Sequence, residues 1–451
     1  MHYIKCSEIM RKAEEDHMDT QICENIGTGA NGHLLFAGQD TVALAKRYGT
    51  PLYLMDEDRI RENCRTYREA FRELFREGSR PLYASKACSF KRIYGIMKEE
   101  GMGIDVVSPG EIYTAKAGGF DLSDAYFHGN NKTDADIAYA MENGVGYFVI
   151  DNMEELEAVE KEASRRGIRQ KALLRLSPGI DPHTYAAVST GKVDSKFGIA
   201  IATGGAKEFV RAALSTAHID LRGYHCHIGS QVFAEDVFER TAKAMTAFAA
   251  EMMREFGFIG EQIDIGGGFG TRYVDSDPKL DIRDKLVSVA HALKQACAEY
   301  GYPEPVFLME PGRSIVADAG MTLYTVGTVK HIPGYKTYVS IDGGMPDNPR
   351  FALYGSRYTC LAAEATGAPE MTCDLVGRCC ESGDIIQKEI RLPGTLKRGD
   401  IVAVCTTGAY NHAMSMNYNK IPRPPVVMLS SGDSYIAVRR ESYEDLCRND
   451  L

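Results

Sequence analysis

From Glu57 to about residue 313 one unit recurs: a short apolar run followed by a stretch with helical spacing. The runs are Leu82–Ser85, Ile104–Val107, Ala125–His128, Tyr147–Ile150, Ala172–Leu176, Gly223–His227, Ile263–Ile265 and Val306–Met309. This alternation limits the fold more than any other feature. Strands joined by helices run parallel, and a parallel sheet has to be covered by those helices. Eight such units in about 230 residues fit a (β/α)8 TIM-type barrel, and a doubly wound open sheet uses the same alternation. Ile60, Cys64, Tyr67, Phe71 and Leu74 recur at steps of three and four, which predicts an amphipathic helix before the first run. Ser108-Pro109-Gly110-Glu111 predicts a helix start, with Ser as cap, Pro in the first turn and Glu three residues on. A helix over Val237 to Phe256 should stop at Gly257.

After residue 315 the texture changes. Leu323–Val329, Lys336–Ile341, Met371–Val376, Ile401–Val404, Val426–Leu429 and Ser434–Val438 are separated by Gly, Pro, Asp and Asn turns, which predicts an all-β sandwich or small barrel. His33–Phe36 and Pro51–Met55 have no barrel partner once eight strands are counted, so they are assigned to the β domain. A chain of 451 residues exceeds one ordinary core. The expectation is a barrel over 57–315 and a β domain built from 1–56 and 316–451.

A net charge of -10 and a pI near 5.7 argue against nucleic acid or an anionic membrane as partner. No signal-peptide pattern opens the chain and no apolar run reaches bilayer length, so a cytoplasmic protein is expected. The 12 cysteines are scattered without C-x-x-C spacing, which speaks against a disulfide framework or a zinc site. On a strand, His225 and His227 face one side and Cys226 the other, so this trio is not read as a metal site and no metal is expected.

Barrel enzymes carry their chemistry at the carboxyl ends of the strands. Those positions hold Lys86, Asp105, His128-Gly129-Asn130, His227-Ile228-Gly229-Ser230, Gly266-Gly267-Gly268 and Glu310-Pro311-Gly312-Arg313. Lys86 leaves the run Pro81-Leu82-Tyr83-Ala84, where desolvation disfavours an ammonium and frees the amine for carbonyl chemistry. Each group alone has an ordinary reading: a strand exit, a core histidine, a tight turn. Their convergence on one set of strand ends does not. The glycines after Ile265 let backbone N–H groups approach a phosphate. They are not a dinucleotide fingerprint, because the third glycine of that pattern falls on Thr271. Gly27-Thr28-Gly29-Ala30-Asn31-Gly32 matches the letters, but it leads into His33–Phe36 rather than a helix and is read as a loop. A carbonyl-reactive lysine, a phosphate cradle and a facing carboxylate together are what pyridoxal 5′-phosphate needs.

Eight segments carry a more specific likeness: Tyr83-Ala84-Ser85-Lys86-Ala87, Gly129-Asn130-Asn131-Lys132, His225-Cys226-His227-Ile228-Gly229-Ser230-Gln231, Asp264-Ile265-Gly266-Gly267-Gly268-Phe269-Gly270, Glu310-Pro311-Gly312-Arg313, Asp342-Gly343-Gly344-Met345, Cys380-Glu381-Ser382-Gly383-Asp384 and Thr407-Gly408-Ala409-Tyr410. In this order, over nearly the whole chain, they resemble the fold type III pyridoxal-phosphate decarboxylases, and among those the diaminopimelate decarboxylase family. The resemblance implies that Lys86 carries the cofactor covalently, that His227 stacks on its ring and that Glu310 faces the ring nitrogen. It implies a phosphate held by Ser230, Gly268 and the backbone around Gly312 and Arg313 with Tyr410 closing over it, and Asp105 among the cofactor-binding groups. It also places Arg313, Arg350 and Tyr354 at the substrate's distal carboxylate and Glu381 at its distal ammonium, and counts Tyr410 among the substrate-binding groups.

Cys380 is implied to manage reprotonation, and with Glu381 to reach the neighbouring subunit of a homodimer. An arginine fork suits a carboxylate and repels a distal ammonium, which favours diaminopimelate over ornithine. The implied reaction is decarboxylation of meso-2,6-diaminopimelate to L-lysine and CO2. The alternatives are a relative acting on D-lysine, D-ornithine or another basic amino acid, and a catalytically silent cofactor-binding paralogue. One departure is His183-Thr184-Tyr185 in the insertion over 179–199, with tyrosine where histidine is common in the family.

Overall fold

The computed structural model describes residues 22–181, 194–364 and 367–451. His183, Thr184 and Tyr185 lie outside the described residues. The chain divides into two compact units. One takes Ile60–Thr271 and Leu280–Val316; the other takes the described residues up to Arg59, then Arg272–Lys279 and Ala317–Leu451.

In the first unit the barrel strands are Arg80–Ala84, Gly103–Val106, Ala125–Phe127, Tyr147–Ile150, Gln170–Ser177, Ile219–His225, Gln262–Asp264 and Val306–Met309. Each pairs in parallel with the next. The eighth returns to the first, with Leu308 opposite Arg80 and Met309 opposite Pro81. The ring is closed, which decides between the barrel and the open sheet. Leu82, Tyr126, Val149, Leu173 and Leu308 form one buried cluster, each stabilising the fold by about 2 kcal/mol. The Tyr126 hydroxyl donates to Gln262 Oε1 at 3.1 Å, so this interior ring keeps its polar end satisfied.

The helix Glu57–Leu74 buries Ile60, Cys64, Tyr67 and Phe71 as its spacing predicts. The apolar stripe then continues to Phe75, which stacks on Phe307 at 4.8 Å, and leaves Leu74 half-buried. A step of four from Phe71 keeps the face aligned where a step of three rotates off it. Ser108 Oγ accepts from the Glu111 N–H at 3.2 Å at the start of helix Pro109–Ala117. Helix Val237–Phe256 ends on Gly257 at φ +67°, a conformation that favours glycine. Lys132, in the Gly129–Lys132 turn, is buried with Glu155 at 2.6 Å and also donates to the carbonyls of Gly129 and Val149. It locks the turn after the third strand.

In the second unit Leu52–Asp56 is buried at all five positions. It runs antiparallel to Gly320–Ile332 on one side and parallel to Val426–Ser430 on the other. Gly320–Ile332 also pairs with Lys336–Ile341 and Ile401–Cys405, so the nine-stranded sheet branches at this strand. Ile26–Thr28 and Leu34–Phe36 form a hairpin, with the Gly29 N–H donating to the His33 carbonyl at 2.8 Å, so Gly29–Gly32 is its turn while Gly27 and Thr28, expected in a loop, belong to the first strand. Strand Ile385–Pro393 was not anticipated. Among the described strands it pairs only with Glu370–Val376, and it exposes Lys388 and Glu389, the charged pattern of an edge strand. Among the described residues no helix is long and apolar enough to cross a membrane.

Candidate active site

Lys86 sits half-buried in the single turn Ser85–Ala87 directly after the first barrel strand. The neighbouring strand fixes that turn. The Ser85 N–H donates to Asp105 Oδ1 at 3.2 Å, and the Ser85 hydroxyl donates to the Asp105 carbonyl oxygen. Burial pushes the Asp105 carboxyl up, and the positive charge of Lys86 opposes it. Glu111 is pushed up to about 7 by burial and by Asp105.

Glu310 follows the eighth strand and is buried. His128 Nε2 stands 2.8 Å from Glu310 Oε1 and His225 Nε2 3.4 Å from the same carboxylate. Their rings meet edge to face at 4.8 Å. Burial alone would raise the Glu310 carboxyl; the imidazoles of His128 and His225 hold it well below the usual range, so Glu310 is an anion. Burial takes His225 down to about 3, which makes it a neutral donor to that anion. Asp264, fully buried at the end of the seventh strand, is pushed well up by burial and then by Glu310, and keeps its proton.

His227 lies just past the sixth strand, where its Nδ1 accepts from the Gly267 N–H at 3.3 Å. Burial, then the Lys86 charge, hold its imidazole well below the usual range, as a neutral acceptor requires. Gly266 has φ +71°, and a Cβ there would come within 2.6 Å of His227 Nδ1. The loops carrying Ser230 and Gly268 are stitched together. The Val232 N–H donates to the Gly268 carbonyl at 2.9 Å, and the Gln231 side chain exchanges two hydrogen bonds with the Thr271 backbone. Gly268 is at φ +125°, and a Cβ on it would meet the Gly229 carbonyl oxygen at 2.1 Å. Arg313 donates from Nε and Nη2 to Ser230 Oγ at 3.3 and 3.0 Å. A Cβ on Gly312 would lie 2.8 Å from the Ala84 Cβ, two residues before Lys86.

These residues fit pyridoxal 5′-phosphate. Glu310 Oε1 and Asp105 Oδ2 are buried without an aligned hydrogen bond, as acceptors suited to a cationic ring or amine are. The glycine turns at 266–268 and 312 bring bare backbone to the strand ends that carry Lys86 and Glu310.

In the β-rich unit Arg350 opens the helix Arg350–Tyr354 and is buried. Its guanidinium carbon lies 4.7 Å from the centre of the Tyr273 ring and 5.4 Å from that of Tyr358. Nη1 donates to the Tyr358 hydroxyl at 2.7 Å and Nη2 to Ser356 Oγ at 3.3 Å. Among the described residues no carboxylate is within ion-pair distance of it. Tyr354 is half-buried at the end of the helix, and Tyr410 is half-buried with φ +61°. Cys380 and Glu381 are exposed on a turn organised by Asp384, which accepts from the Met345 and Cys379 N–H groups at 2.6 and 2.7 Å. Glu381 Oε1 accepts from the Gly383 N–H at 3.1 Å within that turn, and no ion pair joins it to Arg350 among the described residues.

Residues 57–317 match the pyridoxal binding domain of the pyridoxal-dependent decarboxylases. The chain belongs to this family. It is 42% identical to the diaminopimelate decarboxylase of Bacillus subtilis over 93% of its own length and 96% of that protein. It is 41% identical to the Staphylococcus aureus enzyme of the same name, covering 93% and 98%. A crystal structure of the diaminopimelate decarboxylase of M. jannaschii in co-complex with L-lysine superposes with a TM-score of 0.87 at 31% identity, over 95% of this chain and 98% of that one.

Sequence reasoning about this decarboxylase did not find the partners of its two central charges. His128 and His225 stood among the quoted motifs without a role. Asking what balances a buried Glu310 would have pointed to them, since His225 shares a face with His227. Tyr273 and Tyr358, which flank Arg350, and Asn411, which bonds to Tyr358, carry no periodicity or motif that links them.

Proposed function

We propose that this chain decarboxylates meso-2,6-diaminopimelate at its D-centre, giving L-lysine and CO2 as the last step of lysine biosynthesis, with pyridoxal 5′-phosphate as cofactor. One observation carries the choice of substrate: Arg350 is buried, and among the described residues no acid stands beside it. Such a guanidinium takes up a carboxylate and repels a distal ammonium. The names of the relatives agree with this reading.

When bound, the cofactor supplies a sink for the electron pair left as CO2 departs. Lys86 would hold it through its amine. Glu310, kept anionic by the two imidazoles, holds a proton on the ring nitrogen, while neutral His227 covers a ring face. Ser230, Gly268, Gly312 and Arg313 bind the phosphate, with Asp105 and Tyr410 completing the cofactor site. Cys380 manages the proton that replaces CO2. Arg313, Arg350 and Tyr354 take the distal carboxylate and Glu381 the distal ammonium, with Tyr410 also at the substrate.

The barrel over 57–315 and the β domain from 1–56 and 316–451 both contribute to this site in a cytoplasmic homodimer, where the exposed Cys380–Glu381 turn serves the neighbouring copy. Mixing Lys86→Ala with Cys380→Ala subunits should then restore about a quarter of wild-type activity, since random re-pairing leaves one intact site in half of the dimers. No recovery would count against shared sites. The reaction itself is tested by CO2 release from meso-diaminopimelate beside D-lysine and D-ornithine, and a holoenzyme that leaves the first untouched does not have the proposed function.

A further inference from the structure

Arg350 is a long side chain with many rotamers, yet one arrangement is enforced on it. The Tyr273 and Tyr358 rings meet edge to face, with centroids 5.5 Å apart and planes at 83°, and the guanidinium lies against both. Tyr358 is itself held twice. Its hydroxyl accepts from Arg350 Nη1 at 2.7 Å and donates to Asn411 Oδ1 at 3.3 Å, and its backbone N–H donates to Gln387 Oε1 at 3.1 Å. Each terminal nitrogen of Arg350 carries two N–H groups, and Tyr358 and Ser356 each take one. The remaining N–H groups keep the fork geometry that matches two carboxylate oxygens. A second observation points the same way. Asn411 is fully buried, and its Nδ2 has no hydrogen-bond partner among the described residues, so another donor waits one hydrogen bond away from Tyr358. Among the described residues the contacts of Arg350 are neutral acceptors and ring faces, which leaves its charge to be met by a ligand.

We propose that Tyr273, Tyr358 and Asn411 are specificity-determining positioning residues, which hold Arg350 in a single carboxylate-accepting orientation. This rests on the substrate reading above. The cage selects ligands that carry a carboxylate at the distal end and discriminates against the same skeleton without it. An acidic residue at any of these three positions would neutralise Arg350 and remove the discrimination.

The test compares two inhibitors of the holoenzyme, L-lysine and cadaverine, the second being the first without its carboxylate. Tyr358→Phe keeps the ring and removes the hydroxyl; Tyr273→Leu removes a wall, and Tyr273→Phe keeps it. Tyr358→Phe and Tyr273→Leu should each raise KM for meso-diaminopimelate about tenfold while kcat falls less than threefold, in keeping with loss of support to a charged hydrogen bond. Both should weaken L-lysine about tenfold and leave cadaverine within twofold, whereas Tyr273→Phe should stay near wild type. If the L-lysine to cadaverine ratio stays within twofold of wild type in both variants, or both inhibitors weaken together, the proposal is wrong and the tyrosines only pack. A wild-type holoenzyme inactive on meso-diaminopimelate would sink the functional reading instead. Calorimetric binding of the two inhibitors then tests the cage separately, and a wild type that prefers cadaverine overturns it.

Discussion

In the barrel, Asp105, Asp264 and Glu310 are buried together with His128 and His225, and half-buried His227 and Lys86 act on the same set, so each group moves the protonation of the next. In the β-rich unit, Arg350 is buried among two tyrosine rings, a serine hydroxyl and, through Tyr358, an asparagine. The first arrangement is suited to holding and moving protons, because each charge acts on the others. The second holds one fixed charge and changes nothing but the affinity of what meets it. Substitutions in the barrel should therefore act on kcat and those around Arg350 on KM.

The largest expected effect is that of Lys86→Ala, with turnover lost by about 10^4-fold or more and the fold retained by circular dichroism. An active Lys86→Ala enzyme would remove the barrel's side of the comparison. Glu310→Gln keeps the shape and removes the anion; kcat should drop by about 10^2–10^3 with KM nearly constant, a loss of the size seen for preorganised electrostatic groups. A shift mainly in KM would mean that Glu310 binds rather than tunes. Arg350→Lys, which keeps the charge and loses the fork, should raise KM by about 30-fold and leave kcat within a few-fold.

The smallest effect probes an exception. Asp347 is a buried acid in the β-rich unit, pushed up to about 7 by burial against the opposing hydrogen bonds from Tyr324 and the Gly344 N–H. Its folded pKa lies above the unfolded value of about 4, so between these values the folded chain binds the extra proton and stability falls as pH rises. Asp347→Asn should flatten that slope, narrowing the difference in melting temperature between pH 5 and pH 7.5 by about 2–4 °C. An unchanged slope would show that Asp347 does not titrate there.

The eight barrel strands were legible because each is an apolar run bounded by turn residues, and parallel strands are buried on both faces. Their ends were less so. Gly223–His227 was expected, but the strand runs Ile219–His225 with a register shift between Leu221 and Gly223, where a Cβ at Gly223 would meet the Gln262 carbonyl at 1.9 Å. Glycine marked a bulge inside the strand rather than its beginning. Ile385–Pro393 escaped notice because an edge strand keeps its charges outward and lacks an apolar run. In the site, side chains next to motif glycines could be placed by type and spacing. Tyr273, Tyr358 and Asn411 come from distant segments, and only the folded chain brings them to Arg350.

Leu52–Asp56 leaves the ribosome before any residue of the barrel, yet both strands that flank it, from Gly320 and Val426 onward, are made after the barrel is complete. At about 5–20 residues per second it waits on the order of tens of seconds with its backbone unpaired and four apolar side chains uncovered. Such a segment is a template for other nascent chains. During that interval elongation competes with self-association at this one strand.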